Sequence, residues 1–279
     1  MRSTATERRD VAPTALVTGG ASGIGRALAI ALSQTGTAVY VADRQFDLAR
    51  QVARTIADAG GSAVAADLDV RNRAQFAELV STIVAATGRL DYLFNTAGIG
   101  VMGHASQFSD TDWSDVLDVN LKGVCHGIAA AYPHMIERRR GHIVNTASLA
   151  GLIPFPLTAS YTASKFGVVG LSRALRIEAA VHGVRVSVVC PFVVDTPLLT
   201  GGAYSRIKDD AASVRKGRPM LRWLAVSPER FASGVLKKTD RNRAVIVYPP
   251  WARLLWQLDR LSPWATERLI GKLMSHLLR

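Results

Sequence analysis

Tyr161 and Lys165, four positions apart in Tyr161-Thr162-Ala163-Ser164-Lys165, and Ser148, thirteen positions upstream, are the residues of this chain best suited to moving a proton. Side chains at i and i+4 share one face of a helix, so the phenol and the ammonium are expected to point the same way. A phenol with a pKa of ~10 is a poor acid or base at neutral pH. A fixed ammonium beside it favours the phenolate and is expected to pull that pKa down. A fall of ~3 units takes about 4 kcal/mol of differential interaction, feasible for one close charge in a site that excludes water. Ser148 adds a hydroxyl able to hold a substrate oxygen within reach of the phenol. These residue types at this spacing predict proton transfer to or from a carbonyl or an alcohol.

Such a set needs a scaffold, and the N-terminal part predicts one. Thr14-Ala15-Leu16-Val17-Thr18 reads as a short apolar strand, Gly19-Gly20-Ala21-Ser22-Gly23-Ile24-Gly25 as a glycine turn, and residues 26–32 as a helix. In that order they form a phosphate cradle, in which N–H groups at a helix N-terminus meet a pyrophosphate and glycines let the backbone come close. Val39-Tyr40-Val41-Ala42-Asp43 then reads as a second strand ending in an acid, where a ribose-binding carboxylate is expected. Strands are predicted at residues 15–18, 38–42, 62–66, 92–95, 142–146, 185–189 and 244–247, alternating with helical segments. That alternation predicts an α/β fold: a Rossmann-type, doubly wound, seven-stranded parallel sheet with helices on both faces. With 279 residues and 48% hydrophobic content, a single domain over residues 1–248 can bury a substantial core.

Further motifs follow downstream. Asn95-Thr96-Ala97-Gly98 ends the fourth strand, Asn120 lies in Val119-Asn120-Leu121-Lys122-Gly123, and Pro191-Phe192-Val193-Val194-Asp195-Thr196 follows the sixth strand. With the turn from Thr18 to Gly25, the pair Asp69-Val70 and the set Ser148, Tyr161 and Lys165, this order resembles the short-chain dehydrogenases/reductases from about residue 12 to about residue 248. Thr96 replaces the second Asn of the NNAG motif, and Phe192 replaces the Gly of PGxxxT, a residue that serves close approach or positive φ. The resemblance implies an oxidoreductase with catalytic residues Asn120, Ser148, Tyr161 and Lys165. It implies cofactor contacts from Gly19, Ser22, Gly23, Ile24 and Gly25 in the turn, from Asp43 and Arg44, and from Asp69 and Val70 at the adenine. Asn95, Ala97, Gly98, Val194 and Thr196 complete that set, together with Tyr161 and Lys165. Thr196 is then expected on the nicotinamide carboxamide and Lys165 on the nicotinamide ribose. Tyr161 would serve as general base in oxidation and general acid in reduction. Ser148 would position the reacting oxygen, and Asn120 would anchor a water linking Lys165 to solvent.

Family members that use NADP usually carry a basic residue in the glycine turn or directly after the second strand. Here the turn carries Ser22, and Asp43 is suited to accept from both ribose hydroxyls while repelling a 2′-phosphate. NAD(H) is therefore expected over NADP(H). Arg44 complicates this, since it either stacks on the adenine or points into water. The resemblance also implies a homodimer or homotetramer built through two long helices, here about residues 111–139 and 158–182. The alternative class is a protein of this fold that binds a dinucleotide as a sensor or scaffold without turnover.

Other chemistries find little support. Cys125 and Cys190 are the two cysteines, expected as small buried thiols in a helix and at a strand end, outside any disulfide framework. The six histidines show no metal-ligand spacing, so no metal is expected. His104 reads as an ordinary loop residue, with pocket lining as the alternative. No apolar run reaches the ~18 residues of a membrane span. Residues 1–10 read as a polar tail and not a signal peptide, and a cytoplasmic location is expected.

The substrate is read from a lid at about residues 195–225 and from the segment after Ser148. Leu198, Leu199, Tyr204, Ile207, Met220, Leu221 and Trp223 on one side, and Leu149, Leu152, Ile153, Pro154, Phe155 and Pro156 on the other, point to an apolar secondary alcohol or ketone. Arg206, Lys208 and Arg215 are the cations available for a carboxylate or phosphate instead.

Charge is concentrated at the C-terminal end. Residues 201–279 hold 16 Lys+Arg against 6 Asp+Glu, so +10 of the net charge of +12 lies there. After Pro249-Pro250, Trp251, Leu254, Leu255, Leu258 and Leu261 recur at helical spacing with Arg253 and Arg260 outside the stripe. Pro263 opens a second such segment through Leu269, Ile270, Leu273, Met274, Leu277 and Leu278. Residues 249–279 thus read as an amphipathic helical extension beyond the usual end of the family. It is expected either to pack on its own or a neighbouring subunit, or to lie on an anionic membrane with Trp and Leu at the interface and Arg and Lys at the headgroups. Nucleic acid is not expected, because no recognition motif accompanies the basic charge.

Overall fold

A computed structural model describes residues 12–199, 204–208 and 223–277, with side chains described as far as Lys272. Strand β1 (Thr14–Thr18) is buried at every position, the burial expected of a central parallel strand covered on both faces. It belongs to a seven-stranded parallel sheet with β2 (Ala38–Asp43), β3 (Ala63–Asp67), β4 (Tyr92–Asn95), β6 (Gly141–Thr146), β7 (Val184–Pro191) and β9 (Val245–Tyr248). The order is β3-β2-β1-β4-β6-β7-β9, so the winding reverses between β1 and β4. That reversal opens a crevice at the carboxyl ends of the strands, where ligands bind in such sheets. A separate two-stranded parallel pair joins β5 (Gly100–Met102) to β8 (Ser205–Ile207).

Strand alternation divides the core in two. Leu16, Leu93 and Ile143 face a cluster with Phe76, Met135 and Val168, which come from α3 (Arg73–Thr87), α5 (Gly123–Glu137) and α6 (Ala159–Ala180). Val17, Val41 and Phe94 face the other cluster, with Leu28, Ile56 and Phe231 from α1 (Gly23–Ser33), α2 (Phe46–Asp58) and α7 (Pro228–Asp240). Local chemistry sets the helix ends. The Asn72 side chain accepts from the N–H groups of Ala74 and Gln75, Gly88 ends α3 at φ 69°, and Ser227 caps α7 with Pro228 in its first turn.

The predicted strands match within about two residues at each end, the usual scatter of element boundaries. The largest difference is that β7 runs on to Pro191, which lines the edge of the crevice. The long helix predicted at 111–139 is α4 (Asp110–Leu117) and α5 joined by a π-turn at Asp118–Lys122. The β5–β8 pair was not predicted, because three-residue strands paired across a hundred positions leave no periodic signal. One thiol expectation is corrected. Cys190 is fully buried, but Cys125 is exposed, on the side of α5 away from the inward-facing Val124, Gly127, Ile128 and Ala131.

The extension forms α8 (Ala252–Leu261) and α9 (Pro263–Leu277), which contact each other. No helix among the described residues is long and apolar enough to cross a membrane.

Candidate active site

The end of the crevice beside the glycine turn is built largely from backbone. Gly19 has φ 65°, and a Cβ there would lie 2.8 Å from the Ala97 Cα. A Cβ at Gly25 would collide with the Gly19 carbonyl oxygen. Only glycine lets the turn fold this tightly against the segment after β4. Ser22 precedes α1 in extended conformation without capping it, and the first turn of α1 contains no acid. The first N–H groups of α1 and its positive end are therefore available to an anion in the cleft.

Asp43, 7% exposed at the end of β2, is fixed at both oxygens. Its Oδ2 accepts the Ala21 N–H at 3.1 Å and its Oδ1 the Gln45 N–H at 2.9 Å. A carboxylate has room for about four hydrogen bonds, so acceptor capacity remains for a ribose. Asp69 is gripped by Arg71, whose Nε and Nη2 reach Oδ1 and Oδ2 at 3.0 and 2.6 Å; this hydrogen bonding holds the carboxyl below its ordinary range. Arg44 and Val70 line the cleft beside it.

The chemical end rests on β6 and α6. Tyr161 and Lys165 lie one turn apart near the start of α6, with Nζ 5.5 Å from the centre of the phenol ring. Lys165 is 3% exposed and donates to the Thr146 carbonyl at 2.9 Å. Ser148 follows β6, its Oγ accepting the Ala150 N–H at 3.1 Å and donating to the Pro191 carbonyl at 3.5 Å, close enough to Tyr161 to act on its phenol. Burial pushes the Tyr161 phenol above its ordinary pKa, the Ser148 hydroxyl working in the opposite direction. Burial brings the Lys165 ammonium down to about 8. The expected fall at Tyr161 is therefore not what the protein alone produces: loss of water disfavours both charged forms, and the ammonium is turned to the Thr146 carbonyl. Beneath them lies Cys190, whose thiol burial raises to about 12, leaving it a neutral neighbour.

Two expected site residues do not face the cleft. Asn120 is fully buried in the π-turn; its Oδ1 accepts the Ile99 N–H at 2.9 Å, and its Nδ2 donates to the Ile99 carbonyl at 2.9 Å and to Ser164 at 3.1 Å. Both Nδ2 hydrogens and one Oδ1 lone pair thus clamp the chain after β4 to Ser164, and the side chain lies behind the cleft wall. Asn95, expected at the cofactor, instead donates to Asn145 at 2.8 Å, and Asn145 to Ser172 at 2.9 Å. Its place on the last position of β4 turns the side chain under the crevice, where it supports without touching. Thr96 fits its position: its N–H and that of Ala97 both donate to the Thr18 hydroxyl, at 3.0 and 3.2 Å. The remaining predicted residues, Gly19, Ser22, Gly23, Ile24, Gly25, Asp43, Arg44, Asp69, Val70, Ala97, Gly98, Ser148, Tyr161, Lys165, Val194 and Thr196, line one cleft, open to solvent.

The opposite end of the cleft is lined by Phe192, Leu198, Leu199 and Tyr204. Phe192 does not occupy the left-handed region, so its backbone does not require glycine. Its ring packs against Phe155 at 6.4 Å and meets Trp251 edge-on at 5.4 Å. Leu149, Leu152 and Ile153, expected on the cleft, are buried in the core because the 3-10 turn at Leu149–Gly151 directs them inward. Trp223 is 85% exposed and does not line the cleft. Met220, Leu221 and Arg215 lie outside the described residues. Arg206 pairs with Asp112 and Asp115 at 3.1 and 3.0 Å, and Lys208 pairs with Asp112, so neither serves as a carboxylate clamp. His104 is exposed in its loop.

Sequence reasoning missed Gln45. Its Nε2 donates to the Tyr204 hydroxyl at 2.7 Å, while the Tyr204 carbonyl accepts the Gly100 N–H at 3.0 Å. A link between the end of β2 and the lid, across 159 positions, had no local signal; adjacency to Asp43 was the one hint.

These residues fit a dinucleotide: a cradle that any Cβ would fill, an uncapped helix start, and a fixed carboxylate at the edge of the same turn. Known proteins agree with that fit. The model of the short chain dehydrogenase family matches residues 13–203. The 3beta-hydroxysteroid dehydrogenase of Mediterraneibacter gnavus is 35% identical over 239 residues, covering 84% of this chain and 86% of that protein. The crystal structure of a short chain dehydrogenase/reductase from Burkholderia phymatum in complex with NAD superposes with a TM-score of 0.81 at 29% identity, covering 89% and 93% of the two chains. A metagenomic short-chain oxidoreductase in complex with NADP gives a TM-score of 0.62 at 39% identity over 64% of this chain and 81% of that one.

Proposed function

This chain belongs to the short-chain dehydrogenase family, and from that premise we propose that it is an NAD(H)-dependent oxidoreductase interconverting an apolar secondary alcohol and its ketone. The observation that carries this reading is the convergence of Ser148, Tyr161 and Lys165 on one wall of a cleft whose far end is the glycine cradle with Asp43.

The bound nicotinamide supplies the hydride acceptor or donor. Everything else falls to the chain. The Ser148 hydroxyl, held by the Ala150 N–H, orients the reacting oxygen against Tyr161. In oxidation the phenolate takes the alcohol proton, and in reduction the phenol returns it. Lys165, titrating near 8, is mostly ammonium at neutral pH and stabilises the phenolate when it forms. Asp43 selects a free adenosine ribose, since a 2′-phosphate would meet a buried carboxylate. Asn95 and Asn120 hold the wall without touching the reacting atoms. Phe192, Leu198 and Leu199 favour an apolar partner, and the pairing of Arg206 and Lys208 argues against a carboxylate substrate. The reading treats residues 1–248 as one catalytic domain, cytoplasmic, assembled as a homodimer or homotetramer through the helical faces that expose Phe166, Ile177 and Val181.

Steady-state kinetics with NAD(H) and NADP(H) on the same substrate test the cofactor assignment. We expect the lower KM and higher kcat/KM with NAD(H). A preference for NADP(H) of about a hundredfold would overturn the assignment.

A further inference from the structure

The outer surface of α8 and α9 is used by neither the cleft nor the core. Ala252 and Trp256 of α8 and Ile270 of α9 pack against the rest of the chain. Trp251, Leu254, Leu258 and Leu261, at the start of α8 and along it, remain 46, 63, 60 and 84% exposed. At ~100° per residue these four fall within about 80° of arc, on the side of the helix nearly opposite Ala252 and Trp256. Trp264 and Leu269 continue the exposed apolar surface on α9. A helix normally turns such a stripe to its own core, and a patch left in water marks a contact site.

The charge around this patch identifies its occupant. Residues 249–279 hold five Lys and Arg against two Asp and Glu. Arg253 and Arg260 occupy the polar arc of α8. The Arg260 guanidinium lies over the Trp256 ring at 5.6 Å, and that of Arg268 over Trp264 at 5.3 Å. Lys238 and Arg243 add positive charge near Arg253, close enough for both arginines to act on the Lys238 ammonium. Indoles and guanidinium groups flanking exposed leucines suit the headgroup level of a bilayer. A second copy meeting this face through a two-fold axis would bring the same positive charge against it. An anionic surface would complement it.

We propose that the α8–α9 pair docks this protein peripherally on an anionic lipid bilayer, with Trp251, Leu254, Leu258 and Leu261 in the interface and Arg253, Arg260 and Arg268 at the headgroups. Trp251 also touches Phe192, which lines the cleft, so the docked face adjoins the substrate end. A substrate dissolved in the bilayer then reaches the cleft along aromatic side chains. That consequence rests on the dehydrogenase reading; the docking does not.

Co-sedimentation of the full chain with vesicles tests the docking, using phosphatidylglycerol and phosphatidylcholine in equal parts beside phosphatidylcholine alone. NAD binding and gel-filtration mass are measured on the same samples. Binding is expected to the anionic vesicles only, weakening as salt rises above ~0.1 M. The double variant Leu254→Ser, Leu258→Ser should lower it by about tenfold or more while NAD binding is retained. The triple variant Arg253→Gln, Arg260→Gln, Arg268→Gln, which keeps the apolar face, should lose the preference for anionic lipid. Absence of anionic-vesicle binding overturns the proposal, as does binding that neither variant changes. A leucine variant that converts a larger species to monomer, in a protein that ignores vesicles, assigns the face to a second copy instead. A chain that binds anionic vesicles yet oxidises no alcohol removes the dehydrogenase reading and leaves the docking intact.

Discussion

The two ends of the cleft are made of different material. The proposed nucleotide end is mostly backbone, the glycine turn and the open start of α1, with the Asp43 side chain held by two amide N–H groups. The substrate end is side chain: Phe192, Leu198, Leu199 and Tyr204, carried on segments that meet only in the folded molecule. Backbone can accept one cofactor and little else, because its donors are fixed by local geometry. Side chains can be exchanged without disturbing the turn, so one scaffold serves many substrates. Tyr161, Lys165 and Ser148 stand at the junction of the two halves.

Tyr161→Phe probes that junction and carries the largest expected effect. Turnover should fall by about 10²–10⁴, while the dissociation constant of NAD, measured by fluorescence titration, stays near that of the parent. Loss of both together would mean that the two ends are not separable.

Lys165 sharpens the same point through pH. Its folded pKa of about 8 lies below the ordinary 10.5, so between those values the unfolded chain holds a proton that the folded one does not. Stability of the cofactor-free protein should therefore rise with pH across that window, by on the order of 3 kcal/mol if no other group opposes it. Above pH ~10 the raised Tyr161 phenol acts in the opposite sense, since the folded state then keeps the extra proton. Urea unfolding at about pH 7.5 and about pH 9.5 should show the rise in the parent and its loss in Lys165→Met.

Asp43→Ala tests the backbone end from the other side. Removing a charge-assisted acceptor of the ribose should narrow the preference for NAD(H) over NADP(H) by about 10- to 100-fold in kcat/KM. Retained selectivity would move the discrimination to Arg44 or beyond.

Tyr204→Phe has the smallest expected effect. It removes one hydrogen bond, to Gln45, worth about 1 kcal/mol. The KM of NAD should rise by about fivefold with kcat little changed. An equal fall in kcat would place Tyr204 in the chemistry and not in the lid.

The same division explains what could be read from the sequence. Gly19, Gly25 and Asp43 act through their own chain neighbourhood, so their spacing announced the cradle. The i and i+4 spacing of Tyr161 and Lys165 placed both groups on one helical turn. Asn95 and Asn120 sat at the expected positions, but their side chains turned to Asn145 and Ile99, a choice made by packing and not by spacing. Leu149, Leu152 and Ile153 were misassigned to the cleft for the same reason, since a single 3-10 turn reversed the face they present. Exposure of Cys125 depended on the phase of α5, which a π-turn had shifted. Gln45 and Tyr204 meet across more than half the chain, beyond the reach of any local pattern.

One assay addresses the central claim: a screen of secondary alcohols and ketones, from water-soluble to strongly apolar, with NAD or NADH and absorbance of the reduced nicotinamide as readout, run on the parent and on Tyr161→Phe. Turnover by the parent that increases with substrate apolarity and disappears in the variant is the predicted result. A parent that binds NAD but turns over no member of the panel, or a variant that keeps more than about a tenth of the rate, would contradict it.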